Sequence, residues 1–431
     1  MAEKLIRKEI GKEAYFSMIR DPKFKSDRIT LCMVTPLRKE TVTANALVSF
    51  VLRKGCKSCP DFTLLNKKLA DLYGAILDTD ASKHGDLQII KFTIQFLDDR
   101  YALNGEKMVE TAAKLLADVA FDPNLDENGL FPELDVTLER SYLIDTINSD
   151  LNEKRVYAIG KALSLAFEGE PFGIKRYGTV EDAEKLTNAD LVAAWKDLVR
   201  TSRFEMMFTG PGDPAVAEKV LAERISRLER EPAAIERAKI IAYTDYKEET
   251  ESMDVVQGKL VMAFRLGAPT ETKERNAARV FSALYGGTPF SKLFMNVREK
   301  LSLCYYASST VDKKKGIMLV NSGIEFDKFD EAKAEIVHQL DEVRSGNITD
   351  DELNFAKKSL VSDCASMLDA PPELENYYLS QIISGMDISP EQMAELIGFV
   401  TREDVVRIAN SVECDLIYFL KGGSSDENEE D

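Results

Sequence analysis

The 431-residue sequence predicts an α+β fold built from two homologous halves, each an antiparallel-rich sheet packed with helices. Three observations predict it. Ile90, Phe92, Ile94 and Phe96 alternate with Lys91, Thr93 and Gln95, the period-two pattern of a strand with one buried face. Met108, Ala112, Leu115, Leu116 and Val119 then recur at the spacing of one helix face. Finally, the order of strands and helices starts again past residue 247. Leu186-Thr187-Asn188-Ala189-Asp190-Leu191 leads to an apolar strand at 204–210, and Val400-Thr401-Arg402-Glu403-Asp404-Val405 leads to another at 416–422. A period near 200 residues is too long for a solenoid and reads as a duplicated domain.

In order along the chain, the first half predicts strands at 29–34 and 41–43 and a helix from Ala44 to Lys54 that Gly55 stops. A helix at 64–73, the strand at 90–96 and the helix at 108–119 follow. A long helical block over 132–167 precedes a helix at 188–200 and the strand 204–208, which ends at Gly210-Pro211-Gly212. Residues 214–247, rich in Ala, Glu, Arg and Lys, read as a helical linker. The second half predicts a strand at 259–266, helices at 275–285 and 291–300, and strands at 304–311 and 317–324. A helix carrying Ile336, Val337, Leu340 and Val343 on one face comes next, then a helical block from Asp350, a helix at 402–411 and a strand at 415–420. The expected domains are therefore 1–213 and 248–421, joined by the linker 214–247 and followed by a disordered acidic tail, 422–431.

The 74 acidic against 56 basic side chains give a formal charge of −18, which repels nucleic-acid backbones and anionic lipid surfaces. No apolar run reaches signal-peptide or membrane-span length, and the six cysteines are too sparse for a disulfide scaffold, so a cytoplasmic location is expected. Asn347-Ile348-Thr349 has the form of a glycosylation acceptor, but Thr349 with Glu352 reads as a capping box that opens a helix.

The chemistry-bearing residues are few. His84 and His338 are the two histidines, and His84 lies in a turn composition while His338 lies beside an apolar helix stripe. Neither is placed to serve a Ser or Cys nucleophile, and no His-x-x-Glu-His helix exists. Cys56-Lys57-Ser58-Cys59 has zinc-knuckle or redox spacing without the second pair that a structural zinc site needs, so ordinary loop thiols, redox and metal roles stay open, in that order. Arg298 and Tyr305 flank a helix-to-strand junction. Both side chains donate hydrogen bonds of the kind that stabilise a developing oxyanion, although a solvated Arg and a core Tyr are the ordinary occupants of such positions.

These segments together resemble the pitrilysin/insulinase-like zinc metallopeptidases, of the short bacterial, mitochondrial-processing-peptidase-like type. The resemblance covers the chain up to its tail and implies two homologous metallopeptidase-like domains. Active members carry His-x-x-Glu-His followed by Lys-Gly on an N-terminal helix. The matching stretch here is Ala46-Leu47-Val48-Ser49-Phe50-Val51-Leu52-Arg53-Lys54-Gly55, so Ala46 and Phe50 stand at the two histidine positions and Ser49 at the general base. The third ligand of the family falls on Thr146, in the helix opening Glu139-Arg140. The resemblance also implies that Arg298, with Tyr305 seven residues on, matches an Arg/Tyr pair of the second domain that reaches the substrate, and that Leu301-Ser302-Leu303-Cys304-Tyr305-Tyr306 and Leu72-Tyr73-Gly74-Ala75 place this chain among zinc-less partner subunits. The implied function is the non-zinc-binding subunit of a heterodimeric metalloendopeptidase. It would close a peptide chamber and supply Arg298 and Tyr305 in trans, while a homologous companion carrying His-x-x-Glu-His holds the zinc. No cofactor is expected in this chain itself. The rival reading is an inactive scaffold or peptide-binding subunit, with a homodimer as its alternative assembly.

Overall fold

The computed structural model describes residues 5–236, 238, 240, 245–267 and 271–423. The expected tail therefore lies outside the described residues from 424 onward, as do residues 237, 239 and 241–244 of the expected linker. Strands β1 (Ile6–Gly11), β2 (Ala14–Arg20) and β3 (Ser26–Pro36) lead to helices α1 (Val42–Leu52) and α2 (Phe62–Asp71) and the hairpin β4 (Ile76–His84) and β5 (Leu87–Leu97). Helices α3 (Met108–Phe121), α4 (Glu133–Asn152), α5 (Lys154–Ala166), α6 (Val180–Lys185) and α7 (Asn188–Thr201) precede β6 (Arg203–Gly210) and α8 (Pro214–Ile225). The second half runs through β7 (Lys247–Met253), β8 (Gly258–Arg265), α9 (Thr272–Ser282) and two π-helical segments, Ala283–Gly287 and Leu293–Lys300. It continues with β9 (Cys304–Asp312), β10 (Ile317–Ile324), α10 (Phe329–Arg344), α11 (Asp350–Met367), α12 (Pro371–Ile383), α13 (Pro390–Gly398), α14 (Arg402–Asn410) and β11 (Glu413–Gly422).

The duplication is visible in the sheets. One has the order β1-β2-β6-β3-β5-β4 and the other β7-β11-β8-β10-β9. Apart from β1 the two orders superpose strand for strand. The pairs β2/β6 and β7/β11 are parallel, and every other pairing is antiparallel. Even the turn before the edge strand repeats: Tyr73, ahead of β4, has φ 56° and Ser302, ahead of β9, has φ 53°. The matched endings are matched caps. Thr187 with Asp190 and Thr401 with Asp404 both form capping boxes, and Thr349 with Glu352 forms a third at the start of α11.

Contacts divide the chain into two compact units that are not simple halves. The first comprises Met1–Asn148, Ile174–Arg237 and Ala370–Ser389, the second Ser149–Gly173, Ala238–Asp369 and Pro390–Asp431. Each half thus lends one helix to the other half's sheet. Helix α5 presents Ala158, Ala162 and Ala166 to Val261, Ala263, Leu416, Tyr418 and Leu420, small residues that let the helix lie close to β8 and β11. Helix α12 packs Leu379 and Ile383 on Cys32, Val34, Leu87 and Ile89. Its buried Glu375 accepts hydrogen bonds from Arg28 Nε (2.8 Å) and Thr30 Oγ1 (2.7 Å).

The sequence reading differs from the fold at several elements. Residues 41–43 do not form a strand, because Val42 and Thr43 are the buried first turn of α1 and their β-branched character yields to the apolar run that follows. The block 132–167 is two helices broken at Glu153, since α4 and α5 serve different cores. The expected linker is helical only over α8, whose Ala217, Leu221 and Ile225 join the first core, and Lys247 already opens β7. Residue 422 closes β11. The edge strands β1, β4 and β7 had no clear period of their own, and β2, interior to its sheet, is too short and mixed (Ala-Tyr-Phe-Ser-Met-Ile-Arg) to show one.

One buried carboxyl makes the first unit sensitive to pH. Gly212 donates its N–H to Asp27 Oδ1 at 2.8 Å, and a Cβ on Gly212 would meet the Asp27 carboxylate at 2.6 Å, so only glycine fits there. Burial pushes the Asp27 carboxyl up to about 7, opposed by the Gly212 N–H and reinforced by the charges of Asp98 and Asp99. A raised acid binds its proton more tightly in the folded state, so its stabilising contribution is complete below the ordinary carboxyl range and is lost as pH rises through about 7. The melting temperature is expected to fall between pH 5 and pH 8, on the order of a few degrees. Asp27→Asn, which keeps the acceptor for Gly212, is expected to flatten that slope in a scan of melting temperature against pH.

Candidate functional site

All 11 residues of α1 are buried, as an apolar helix without a wet face must be. Ala46 and Ser49 are fully enclosed, and Ser49 Oγ donates back to the Ala46 carbonyl at 2.7 Å. Phe50 meets the Tyr142 ring edge-on, with centroids 5.4 Å apart at 71°, and the Tyr177 ring at 6.0 Å. The Phe50–Tyr142 contact brings α1 against α4, the two helices on which the family's ligand positions fall. Thr146, one turn beyond Tyr142, donates its hydroxyl to the Tyr142 carbonyl at 2.7 Å. Arg53 lies 5.3 Å from the Phe50 ring and 5.1 Å from that of Tyr142, and it donates to Glu139 at 3.1 Å, with Lys54 at 3.4 Å from the same carboxylate.

These residues do not fit a zinc ion. A methyl, a hydroxyl bonded to its own helix, a phenyl ring and a threonine supply neither imidazole nor carboxylate. Among the described residues, no group of three or more His, Cys, Asp or Glu side chains is arranged to hold a metal. The cluster of Phe50, Tyr142, Tyr177, Arg53 and Glu139 was not singled out from sequence. Tyr142 precedes Thr146 by four positions and so shares its helix face, a usable signal. Tyr177 carried none.

Cys56 and Cys59 face each other across a tight turn, each N–H donating to the other's carbonyl (2.8 and 2.9 Å), and burial pushes the Cys56 thiol up. His84 ends β4 at its hairpin, and His338 is exposed on α10.

Arg298 lies in the π-helical segment Leu293–Lys300, a widened turn of the kind found at functional sites. It is half-buried, 4.6 Å over the Phe294 ring and 3.6 Å from Glu299. Ser302, with its left-handed backbone, ends the segment and turns the chain into β9. Among the described residues that strand is the edge of its sheet, paired only with β10. The register shifts from Ile324↔Cys304 to Gly323↔Tyr306, which leaves Tyr305 as the extra residue of a β-bulge. A bulge re-aims its side chain, and Tyr305 is 60% exposed. Its neighbour Tyr306 is held instead: the Arg155 guanidinium lies 4.4 Å over its ring, and a Cβ on Gly323 would collide with that ring. Of two adjacent phenols, only Tyr305 stands out from the sheet. Burial raises the Cys304 thiol, while the Ser322 hydrogen bond and the charge of Arg298 oppose that shift, so Arg298 acts on the first residue of β9.

Residues 185–360, the span holding Arg298 and Tyr305, match the family model described as Peptidase M16 inactive domain. The chain is 28% identical over 405 residues to the "Probable inactive metalloprotease YmfF" of Bacillus subtilis (strain 168), covering 94% of this chain and 95% of that one. A crystal structure of a conserved protein from Enterococcus faecalis V583 superposes with a TM-score of 0.89 at 27% identity, covering 99% of this chain and 100% of the other. A protease from Helicobacter pylori shares the fold, with a TM-score of 0.77 at 16% identity over 98% and 99% of the two chains. The chain is thus similar to the M16 inactive-domain model over residues 185–360 and to a probable inactive metalloprotease over most of its length. No described helix is long and apolar enough to cross a membrane.

Proposed function

We propose that this chain is the zinc-free subunit of a heterodimeric metalloendopeptidase. A homologous companion carrying His-x-x-Glu-His holds the zinc and the general base. This chain closes the peptide chamber and directs Arg298 and Tyr305 toward the scissile carbonyl. The observation that carries the reading is a contrast within one chain. At the ligand positions, Ala46, Ser49 and Phe50 are buried packing residues and Thr146 turns its hydroxyl back onto its own helix, while Arg298 sits on a π-helical turn and Tyr305 on a bulge of a free sheet edge. Bulges and π turns weaken regular pairing, and such costs are retained where a side chain must be aimed. A guanidinium and a phenol both donate to a carbonyl oxygen and to the oxyanion it becomes, and neither needs to change protonation to do so. The free edge of β9 would receive an extended substrate by main-chain hydrogen bonds.

The test is reconstitution. This chain, a companion with the zinc motif and their mixture are each assayed by size-exclusion chromatography and with a quenched fluorogenic peptide. A mixed species that alone cleaves the peptide is expected. A stable mixed species that binds the peptide without cleaving it would instead support the scaffold reading, and a homodimer indifferent to the companion would remove the heterodimer.

A further inference from the structure

We propose that Cys56 and Cys59 form a reversible disulfide within the chain, a modification site on the turn after α1 that is made by exchange with a low-molecular-weight disulfide. The proposal is independent of the peptidase reading above. The two cysteines stand opposite each other as an antiparallel bridge, each donating its N–H to the other's carbonyl, at 2.8 and 2.9 Å. A hydrogen-bonded antiparallel pair holds its Cα atoms about 5.5 Å apart and sends both side chains to one side of the ribbon. That spacing falls at the commonest Cα separation of disulfides, roughly 5.5–6 Å, so the backbone is already set for the bond. Both thiols are free.

The turn is locked in this shape. A Cβ on Gly55 would stand 2.9 Å from the Cys59 carbonyl oxygen and 3.2 Å from the Pro60 carbonyl carbon, so glycine is needed there. Lys57 donates its N–H to the Asp122 carbonyl at 2.9 Å, which ties the turn to the end of α3. Ser58 Oγ lies 3.3 Å from Cys56 Sγ and donates to Asp118 Oδ2 at 2.8 Å, and Asp118 also pairs with Arg224. Burial is the largest influence on the Cys56 thiol and raises it. Hydrogen bonds to its sulfur from the Ser58 hydroxyl and from the Cys59 and Ser58 N–H groups oppose that, and the charge of Cys59 adds to it.

The two sulfurs differ in access. Cys56 is fully enclosed and Cys59 is 7% exposed, while Lys57 and Ser58 between them are exposed. Cys59 is therefore the point of entry. Its thiolate attacks one sulfur of the small disulfide, whose S–S bond breaks and whose other half leaves as a thiolate. Cys56 then attacks Cys59 Sγ in the mixed disulfide. The Cys56–Cys59 bond forms and the second half leaves. The two protons given up by the cysteines end on the two released thiols, so the protein loses two electrons and the small disulfide gains them. In reducing surroundings a pair of this kind is transient and serves as a redox sensor.

The native full chain is equilibrated with oxidised glutathione, quenched in acid, unfolded and its thiols counted. It is expected to lose two of its six thiols and to regain them with dithiothreitol. Trypsin cuts after Lys57, so the disulfide is read directly as peptides 55–57 and 58–67 that stay together until reduced. Cys56→Ser is expected to stop at a glutathione adduct on Cys59, because the resolving sulfur is gone. A native chain that keeps all six thiols overturns the proposal, as do peptides 55–57 and 58–67 that separate without reduction. Protection of both thiols by a zinc ion that a chelator removes would make the pair part of a metal site and overturn it equally.

Discussion

If Arg298 is the oxyanion donor of the proposed heterodimer, Arg298→Ala is expected to lower the kcat of that assembly by about 10²–10³ while leaving assembly and folding intact, because loss of one preorganised oxyanion donor costs that much. The separation of effects follows from where the side chain sits. Its ion pair with Glu299 at 3.6 Å is solvent-accessible on both sides, and such pairs contribute little to stability. The contact with the Phe294 ring is also solvent-exposed in part and adds less than about 1 kcal/mol. Truncation therefore removes little that holds the π-helical segment together. Arg298→Lys keeps the charge but loses the planar fork, so partial recovery is expected at most. Tyr305→Phe should lower kcat with a smaller change in KM, because the exposed ring stays and only the hydroxyl is lost. The check is steady-state kinetics of the reconstituted complex beside a thermal melt of the variant. Equal kcat for Arg298→Ala and the parent would show that the residue has no part in turnover.

The largest expected effect on stability lies in the second unit, at Asp415→Ala. Arg265 and Asp415 are fully buried and joined at 2.8 Å, with Arg265 Nη2 donating to the Ala166 carbonyl at 2.6 Å and the guanidinium 4.2 Å over the Phe167 ring. This pair ties β8 to β11 and to the lent helix α5. Removing the carboxylate leaves a cation in a dry core, for which the expected loss is about 3–5 kcal/mol. Exchanging both partners for apolar residues, Arg265→Met with Asp415→Leu, should recover most of that loss because no charge is then stranded. Urea unfolding of the single and double variants measures it. A loss below about 1 kcal/mol for Asp415→Ala would mean that the buried guanidinium finds another partner.

Much of this molecule could be read from its residues, for identifiable reasons. The duplication was visible because capping boxes are local: Thr187 with Asp190 and Thr401 with Asp404 announce equivalent helices whatever packs around them. The strand at 90–96 was visible because Ile90, Phe92, Ile94 and Phe96 of β5 are fully buried, while Lys91 and Gln95 on the opposite face are only partly covered. Strand β4 was missed because an edge strand half open to solvent tolerates Asp78, Asp80 and Ser82 in succession. The exchange of α5 and α12 was also hidden. An alanine stripe such as Ala158, Ala162 and Ala166 states that something lies close, and not which sheet it is. At the site, the substitutions at Ala46, Ser49, Phe50 and Thr146 were read directly from the family pattern. The bulge that frees Tyr305 depends on its register against Gly323 and Ile324, which sequence spacing does not fix. Phe50 finding Tyr142 and Tyr177 required the tertiary fold.

The central claim is that this polypeptide cannot bind the metal on which hydrolysis by the zinc metallopeptidases it resembles depends. The most direct measurement is zinc content by inductively coupled plasma mass spectrometry on the purified chain, incubated with excess zinc and desalted, alongside a quenched fluorogenic peptide assay. Substoichiometric zinc and no cleavage without a companion are the expected results. One zinc per chain together with peptide-bond cleavage that a chelator abolishes would contradict it.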